Sequence, residues 1–341
     1  MLPQLLERIP DYREFMTLEE LRSRTTALCR EFPGLARLEV VGDSTEGRPI
    51  ELLTVGHGRR PILFVGVPHP NEPIGTLTID AFTRLLCEDE ALRRQLDCTL
   101  YVIPVADPDG FVLNEGWFKG GFSVAKYALN FYRPPHREQV EWSFPVDYKT
   151  LRFSTPTRET QAVMRVMDRV RPVLFYSLHN AGFCGVYFYV TRVVPGLVAE
   201  LHELVHQFGL PLHRGEPEVP YLKTLAPAVY QLFGIRDTYD YLLRTLGEDP
   251  APLIEAGTGS DDWLSTICDA FSFVCELPYY TTPALRDVTP SDQTRREVVL
   301  EGIARATTLH AATAAAFERL RPRAPDHRLT RSVAEYVRKT P

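Results

Sequence analysis

Five stretches of the chain are apolar at nearly every position, too short for buried helices, and closed by turn signals. They are Pro61–Val67 (PILFVGV), Thr99–Val105 (TLYVIPV), Pro172–Leu178 (PVLFYSL), Gly185–Val190 (GVYFYV) and Phe271–Leu277 (FSFVCEL). Runs of this kind read as strands buried on both faces. Ala36–Val41 and Pro49–Val55 read as two further strands, joined by the turn-rich Gly42-Asp43-Ser44-Thr45-Glu46-Gly47. Between strands the spacing turns helical. Ile74, Leu77, Ile79, Phe82, Leu85 and Leu86 follow Pro73, and a second such segment runs from Thr155-Pro156 to Arg171. Thr17-Leu18-Glu19-Glu20 has capping-box spacing and opens a helix that must stop near Pro33-Gly34. Strands alternating with helices predict an α/β fold, a single domain with a central mixed, mostly parallel sheet flanked by helices.

Other stretches lack a period. Phe111 to Phe153 has aromatics, glycines and prolines, and a loop that long is usually functional, so we take it as a wall of a substrate cleft. Asp107-Pro108-Asp109-Gly110, just before it, reads as a strong turn. From Gly209 to Glu255 prolines interrupt short helical pieces. A long amphipathic helix is expected from about Ser291 to Leu320, and residues 321–341 read as a basic, flexible tail, which leaves 1–320 as the catalytic domain.

Composition narrows the classes. The 341 residues are 44% hydrophobic, enough for a packed core, and 38 basic against 44 acidic residues give a net charge of -6. That balance lacks the electrostatic footprint of a nucleic-acid binder, so a peptide or small amide substrate is the expected partner. The N-terminus has no basic region leading into an apolar run, and no stretch approaches the roughly 20 apolar residues that span a bilayer. A cytoplasmic protein without membrane contact is expected. The six cysteines show no C-x-x-C spacing and read as reduced, structural thiols.

Three of the apolar strands end on residues that carry chemistry. Pro61–Val67 leads into His69-x-x-Glu72, Pro172–Leu178 into His179, and Glu276 lies between Val274 and Leu277. Beyond the carboxyl ends of strands is where open α/β sheets bind ligands. Two imidazoles and a carboxylate can hold one Zn²⁺ with a position left for water, and a further glutamate can act as general base. A rival is His202-Glu203-Leu204-Val205-His206, an H-E-x-x-H that would place both histidines on one helix face. Against it, His213 lies one residue too far for the long protease motif and no Met follows Met167 to supply its methionine turn. The bland alternative is a solvated helix with Leu201, Leu204, Val205 and Phe208 packing inward.

With these residues in view, the sequence resembles the zinc carboxypeptidase family over about its first 280 residues. HPNEP resembles the family's ligand motif, DPDGF its turn after the next strand, SLHNAG its third-ligand strand end, and GSDDW with FSFVCELP its specificity and catalytic segment. The resemblance implies eight strands, His69, Glu72 and His179 as ligands of one zinc ion, and Glu276 as general base. It departs in three places. The Asn-Arg pair that clamps a terminal carboxylate is matched only by Leu129-Asn130-Phe131-Tyr132-Arg133-Pro134; the carbonyl-polarising arginine near Trp117 is replaced by nothing closer than Lys119; and the expected tyrosine falls at Ile254, leaving Tyr239 or Tyr241. Asn130, Arg133 and Lys119 are therefore the substrate-binding candidates. Asp261 occupies the family's specificity position and implies a basic or diamino-acid terminus, unless Ser260 and Asp261 cap a helix instead. The implied function is a zinc metallopeptidase acting on a C-terminal residue. An N-acyl amino acid deacylase on a related zinc fold and a non-catalytic binding module are the alternatives.

Overall fold

The structure, a computed structural model, describes residues 2–339. Its strands in chain order are β1 (Ala36–Asp43), β2 (Pro49–Val55), β3 (Arg60–Gly66), β4 (Cys98–Ile103), β5 (Val146–Tyr148), β6 (Leu151–Phe153), β7 (Leu174–Phe183), β8 (Tyr187–Val190), β9 (Thr224–Ala226), β10 (Val229–Gln231) and β11 (Phe271–Tyr280). Nine of them form one sheet in the order β1-β2-β4-β3-β7-β11-β8-β10-β9, and β5 pairs with β6 alone. The middle of the sheet is parallel, β4 to β3 to β7 to β11, and the β8–β10 pair is parallel too. The remaining pairings are antiparallel. The sheet has nine strands where the resemblance implies eight: to the seven that the apolar patterns mark it adds β9 and β10, three residues each, in the proline-interrupted segment and too short to show a period.

The central strands are apolar on both faces because both are covered. On one side the helix Arg158–Val170 packs Ala162, Val163, Val166 and Met167 against Ile50, Leu52, Leu63, Val65 and Phe175. On the other, the helix Ile74–Glu88 packs Ile79, Leu85 and Leu86 against Val55, Phe64, Leu100, Val102 and Leu178. Burying each such side chain contributes about 1.5–3 kcal/mol, so the two layers fix where the strand ends point.

Three expectations change. Asp107-Pro108-Asp109-Gly110 starts a helix, Pro108–Asn114: Asp107 Oδ1 accepts the Gly110 N–H at 2.8 Å, and Pro108 takes the first helical position, where its missing N–H costs nothing. The stretch 111–153 is not one loop but holds a second short helix, Val124–Asn130, turns of 3₁₀ helix and the β5–β6 hairpin. The basic tail is not loose either. Arg328–Lys339 is a helix whose Arg328 side chain is 11% exposed and pairs with Asp109 at 3.0 Å, Glu46 at 3.2 Å and Glu159 at 3.4 Å. These partners lie 169 or more positions away along the chain, so the tail's own sequence does not announce them. Thr340 and Pro341 lie outside the described residues. The long helix runs from Arg295 to Leu320, but none of its residues is buried. Among the described residues no helix is long and apolar enough to cross a membrane.

Gly66 closes β3 where the chain passes tightly over its neighbour. A Cβ there would lie 2.4 Å from the Pro104 carbonyl oxygen and 2.6 Å from Ile79 Cδ1. The backbone atom cannot move aside without disturbing β4, so Gly66→Ala is expected to destabilise the protein by about 2 kcal/mol. Denaturant unfolding measures it, and a stability equal to wild type would refute the close approach.

Candidate metal and active site

Immediately after Gly66 the buried Val67 has φ 53°, a left-handed conformation that a β-branched residue rarely adopts. The turn it makes takes the chain out of the sheet into Pro68-His69, and the Glu72 N–H then bonds the His69 carbonyl at 3.0 Å. Both side chains thereby face the end of β7. In β7 and β11 the parallel register sets His179 beside Glu276. Asn180 locks these pieces: its Oδ1 accepts the Ile74 N–H at 3.0 Å, its Nδ2 reaches the Leu277 carbonyl at 3.3 Å, and its N–H donates to Glu72 Oε2 at 3.1 Å.

His69, Glu72 and His179 each offer a ligand atom within 4.8 Å of the others, the only such group of three or more among the described residues. Glu72 Oε2 lies 3.0 Å from His179 Nδ1, and Glu72 Oε1 accepts from Arg133 Nη1 at 2.8 Å. His69 is buried and its Nδ1 has no hydrogen-bond partner. Burial, with Arg133 and His179 adding to it, holds the His69 pKa well below its ordinary value, so the ring is neutral with a lone pair to give. An orphaned buried imidazole is costly unless something takes that lone pair, and a metal does so. Two nitrogens and one carboxylate suit zinc and leave a fourth position open.

Glu276 is not in the ligand group. Burial raises its pKa to about 8; His179 and Arg133 oppose the rise, while Glu72 and Glu218 add to it. A carboxyl poised near neutrality suits proton transfer.

The centre opens into a cavity of about 450 Å³. Its lining carries the carboxylates of Glu72, Glu141, Glu218, Asp261 and Glu276 against one Lys or Arg, Arg133, among the described residues. Glu141 is buried and ties the two halves together: its Oε2 accepts from Ser177 Oγ at 3.3 Å and lies 3.8 Å from His179 Nε2, while its Oε1 accepts from Ser260 N at 3.0 Å and Ser260 Oγ at 2.7 Å. The short helix Ser260–Leu264 has Gly259 at its N-cap, so neither Ser260 nor Asp261 caps it. Asp261 keeps its carboxyl on the cavity. Burial, then the nearness of Glu141 and Asp262, raises its pKa to about 8.

Several sequence candidates fall elsewhere. Lys119 does not line the cavity and pairs with Glu20 at 2.6 Å, because residues 115–119 pack under the N-terminal segment. Asn130 ends the helix Val124–Asn130 with its Nδ2 bonded to the Lys126 carbonyl at 2.8 Å, also outside the cavity. Tyr239 bonds Asp249 at 2.9 Å in the β5–β6 layer. The tyrosines that reach the cavity are Tyr187 and Tyr189 of β8. His202 bonds the Pro227 carbonyl at 2.8 Å and His213 the Glu216 carbonyl at 3.1 Å, while Leu201 and Val205 are buried, so the H-E-x-x-H helix gathers no ligand group. Sequence reasoning missed Glu141, Glu218, Tyr187 and Tyr189. The signal for Glu141 was a charge set directly between the apolar Val140 and Trp142.

The sequence profile of a family described as zinc carboxypeptidase matches residues 22–287. Carboxypeptidase B of Astacus astacus is 30% identical over 106 residues, 30% of this chain and 35% of that protein. Carboxypeptidase E of Caenorhabditis elegans is 27% identical over 131 residues, 33% of this chain and 28% of that protein. The chain thus aligns with about a third of the length of these curated relatives. A solved structure from Shewanella amazonensis, provisionally assigned as a metallopeptidase, superposes with a TM-score of 0.52 at 14% identity, over 76% of this chain and 84% of that one. A second, from Shewanella baltica, gives 0.51 at 12% identity over the same shares, 76% and 84%. At these identities the likeness is one of fold.

The raised Asp261 pKa has a consequence for stability. Between its ordinary 3.8 and about 8 the folded protein binds a proton that the unfolded chain releases, so this group's contribution to stability falls as pH rises through that window. Asp261→Asn removes the effect. Its melting midpoint is expected to match wild type near pH 4 and to exceed it increasingly up to pH 8; midpoints that track in parallel across the range would show that Asp261 is not desolvated.

Proposed function

Because the chain belongs to the zinc carboxypeptidase family, its profile spanning most of the sequence, we propose that it hydrolyses a peptide or amide bond beside a C-terminal residue. His69, Glu72 and His179 hold one zinc ion. The observation that carries this is the convergence of those three ligand atoms with a separate buried glutamate, Glu276, brought alongside by the β7–β11 register. A zinc ion in that position supplies Lewis acidity and lowers the pKa of water. Glu276 takes a proton from the attacking water as its oxygen bonds to the carbonyl carbon, and delivers it to the nitrogen as the C–N bond breaks. Arg133, bonded to Glu72 and the cavity's one Lys or Arg among the described residues, faces the negative charge that develops on the carbonyl oxygen.

Asp261 and Glu141 both line the cavity, and a cation entering it would favour the ionised form of Asp261, which supports a substrate whose terminal side chain carries an amine or guanidinium. Such a cation would be held in a desolvated ion pair, where removing one partner costs about 3–5 kcal/mol. Six free cysteines support a reducing, cytoplasmic setting.

Glu276→Ala is expected to keep its zinc and lose about 10²–10⁴-fold in kcat. Wild-type turnover in that variant would remove Glu276 from the mechanism. For substrate class, kcat/KM on acyl dipeptides ending in Arg, Lys, Phe and Leu, beside N-acyl amino acids, should favour Arg or Lys in wild type and lose that preference in Asp261→Asn. A preference for Phe, or a ratio unmoved by the substitution, would contradict the basic-terminus reading.

A further inference from the structure

We infer that the C-terminal helix Arg328–Lys339 belongs to the working site: Ser332 and Glu335 are positioning residues that hold the backbone behind Arg133. Arg133 is followed by Pro134-Pro135, two residues without an N–H. The prolyl carbonyls are taken locally, that of Pro135 by the Glu138 N–H at 2.8 Å and that of Pro134 by Gln139 Nε2 at 3.1 Å, which leaves the Arg133 carbonyl and the His136 N–H on either side. Outside partners take both ends of the prolyl pair. Ser332 Oγ donates to the Arg133 carbonyl at 2.6 Å, and the His136 N–H donates to Glu335 Oε1 at 2.8 Å. Spaced three apart, Ser332 and Glu335 lie on one face of the helix. On the other side of the same backbone the Arg133 guanidinium reaches Glu72 at 2.8 Å, with its Nε on Gln139 Oε1 at 3.2 Å.

The helix itself is tied down at both ends and between. Arg328 sits among Asp109, Glu46, Glu159 and, at 3.5 Å, Asp107; Arg331 pairs with Glu138 at 3.3 Å; Arg338 and Lys339 pair with Glu255 at 2.6 and 3.2 Å. Asp107, Asp109 and Glu159 are buried, so lifting Arg328 away would leave their carboxylates short of a counter-charge. Burial already raises the Asp107 pKa to about 7, with Arg328 the largest influence against that rise. The strap lies beyond residue 287, where the match to the family profile ends. One element, remote in sequence, sets the position of the guanidinium that faces the substrate.

The inference rests on the reading of Arg133 as the group facing the developing charge, and a double-mutant cycle separates the two. Zinc-loaded, full-length Ser332→Ala/Glu335→Ala is compared with wild type, in the native and the Arg133→Ala backgrounds, for kcat on one acyl dipeptide. A positioning role predicts a loss of about tenfold in the native background and less than about twofold once Arg133 is gone, because the two changes act on one interaction. An equal loss in both backgrounds, or no loss in the native one, overturns it. If Arg133→Ala alone leaves kcat intact, the reading of Arg133 fails and amide hydrogen exchange judges the strap: faster exchange at His136 in Glu335→Ala supports it, and unchanged protection overturns it.

Discussion

Carboxylates taken out of water must find a positive partner, and the centre of this protein gathers several of them around few cations. Glu72, Glu141 and Glu276 converge there with two imidazoles and a single guanidinium, that of Arg133. Burial pushes the His69 pKa down and the Glu276 pKa up to about 8, the shifts of groups that resist carrying charge where they stand. A divalent cation among His69, Glu72 and His179 would give the orphaned His69 nitrogen a partner and the nearby carboxylates a counter-charge. The fold makes this grouping possible: parallel strands covered on both faces deliver their carboxyl ends to one place, and the β7–β11 register sets His179 and Glu276 side by side.

The cavity beyond the ligand group is lined by acidic residues as well, Glu141, Asp261 and Glu218, the last bonded by the Tyr187 hydroxyl. Burial, then the nearness of Glu141 and Asp262, raises the Asp261 pKa, so a cationic substrate group beside it would favour its ionised form. Arg133 is the cavity's one Lys or Arg among the described residues, and the backbone on either side of its Pro134-Pro135 is bonded by Ser332 and Glu335 of the C-terminal helix.

How much of this could be read from the residues follows from how local each signal is. The apolar runs at 61–67, 172–178 and 271–277 announce their strands because a strand buried on both faces shows it in its own composition. His69, Glu72, His179 and Glu276 were legible because each sits at the end of such a run. Asp107 was misread as a turn residue because Asp-Pro serves a turn and a helix start equally, and only the chain beyond decides. Lys119 and Asn130 were chosen for nearness in sequence to a motif, yet their ion pair and hydrogen bond point them away from the cavity. Glu218 and the anchoring of Arg328 depend on partners more than thirty residues distant, and nothing in their own neighbourhoods reports that; Glu141 shows only as a charge between Val140 and Trp142, without its partners Ser177 and Ser260.

The central claim is that one zinc ion sits among His69, Glu72 and His179. Anomalous diffraction at the zinc edge from crystals of the zinc-loaded protein locates it directly. The account predicts one peak at about 2.0–2.2 Å from an imidazole nitrogen of His69 and of His179 and from a carboxylate oxygen of Glu72. A peak beside His202 and His206 instead, or no ordered zinc at the strand ends, would contradict it.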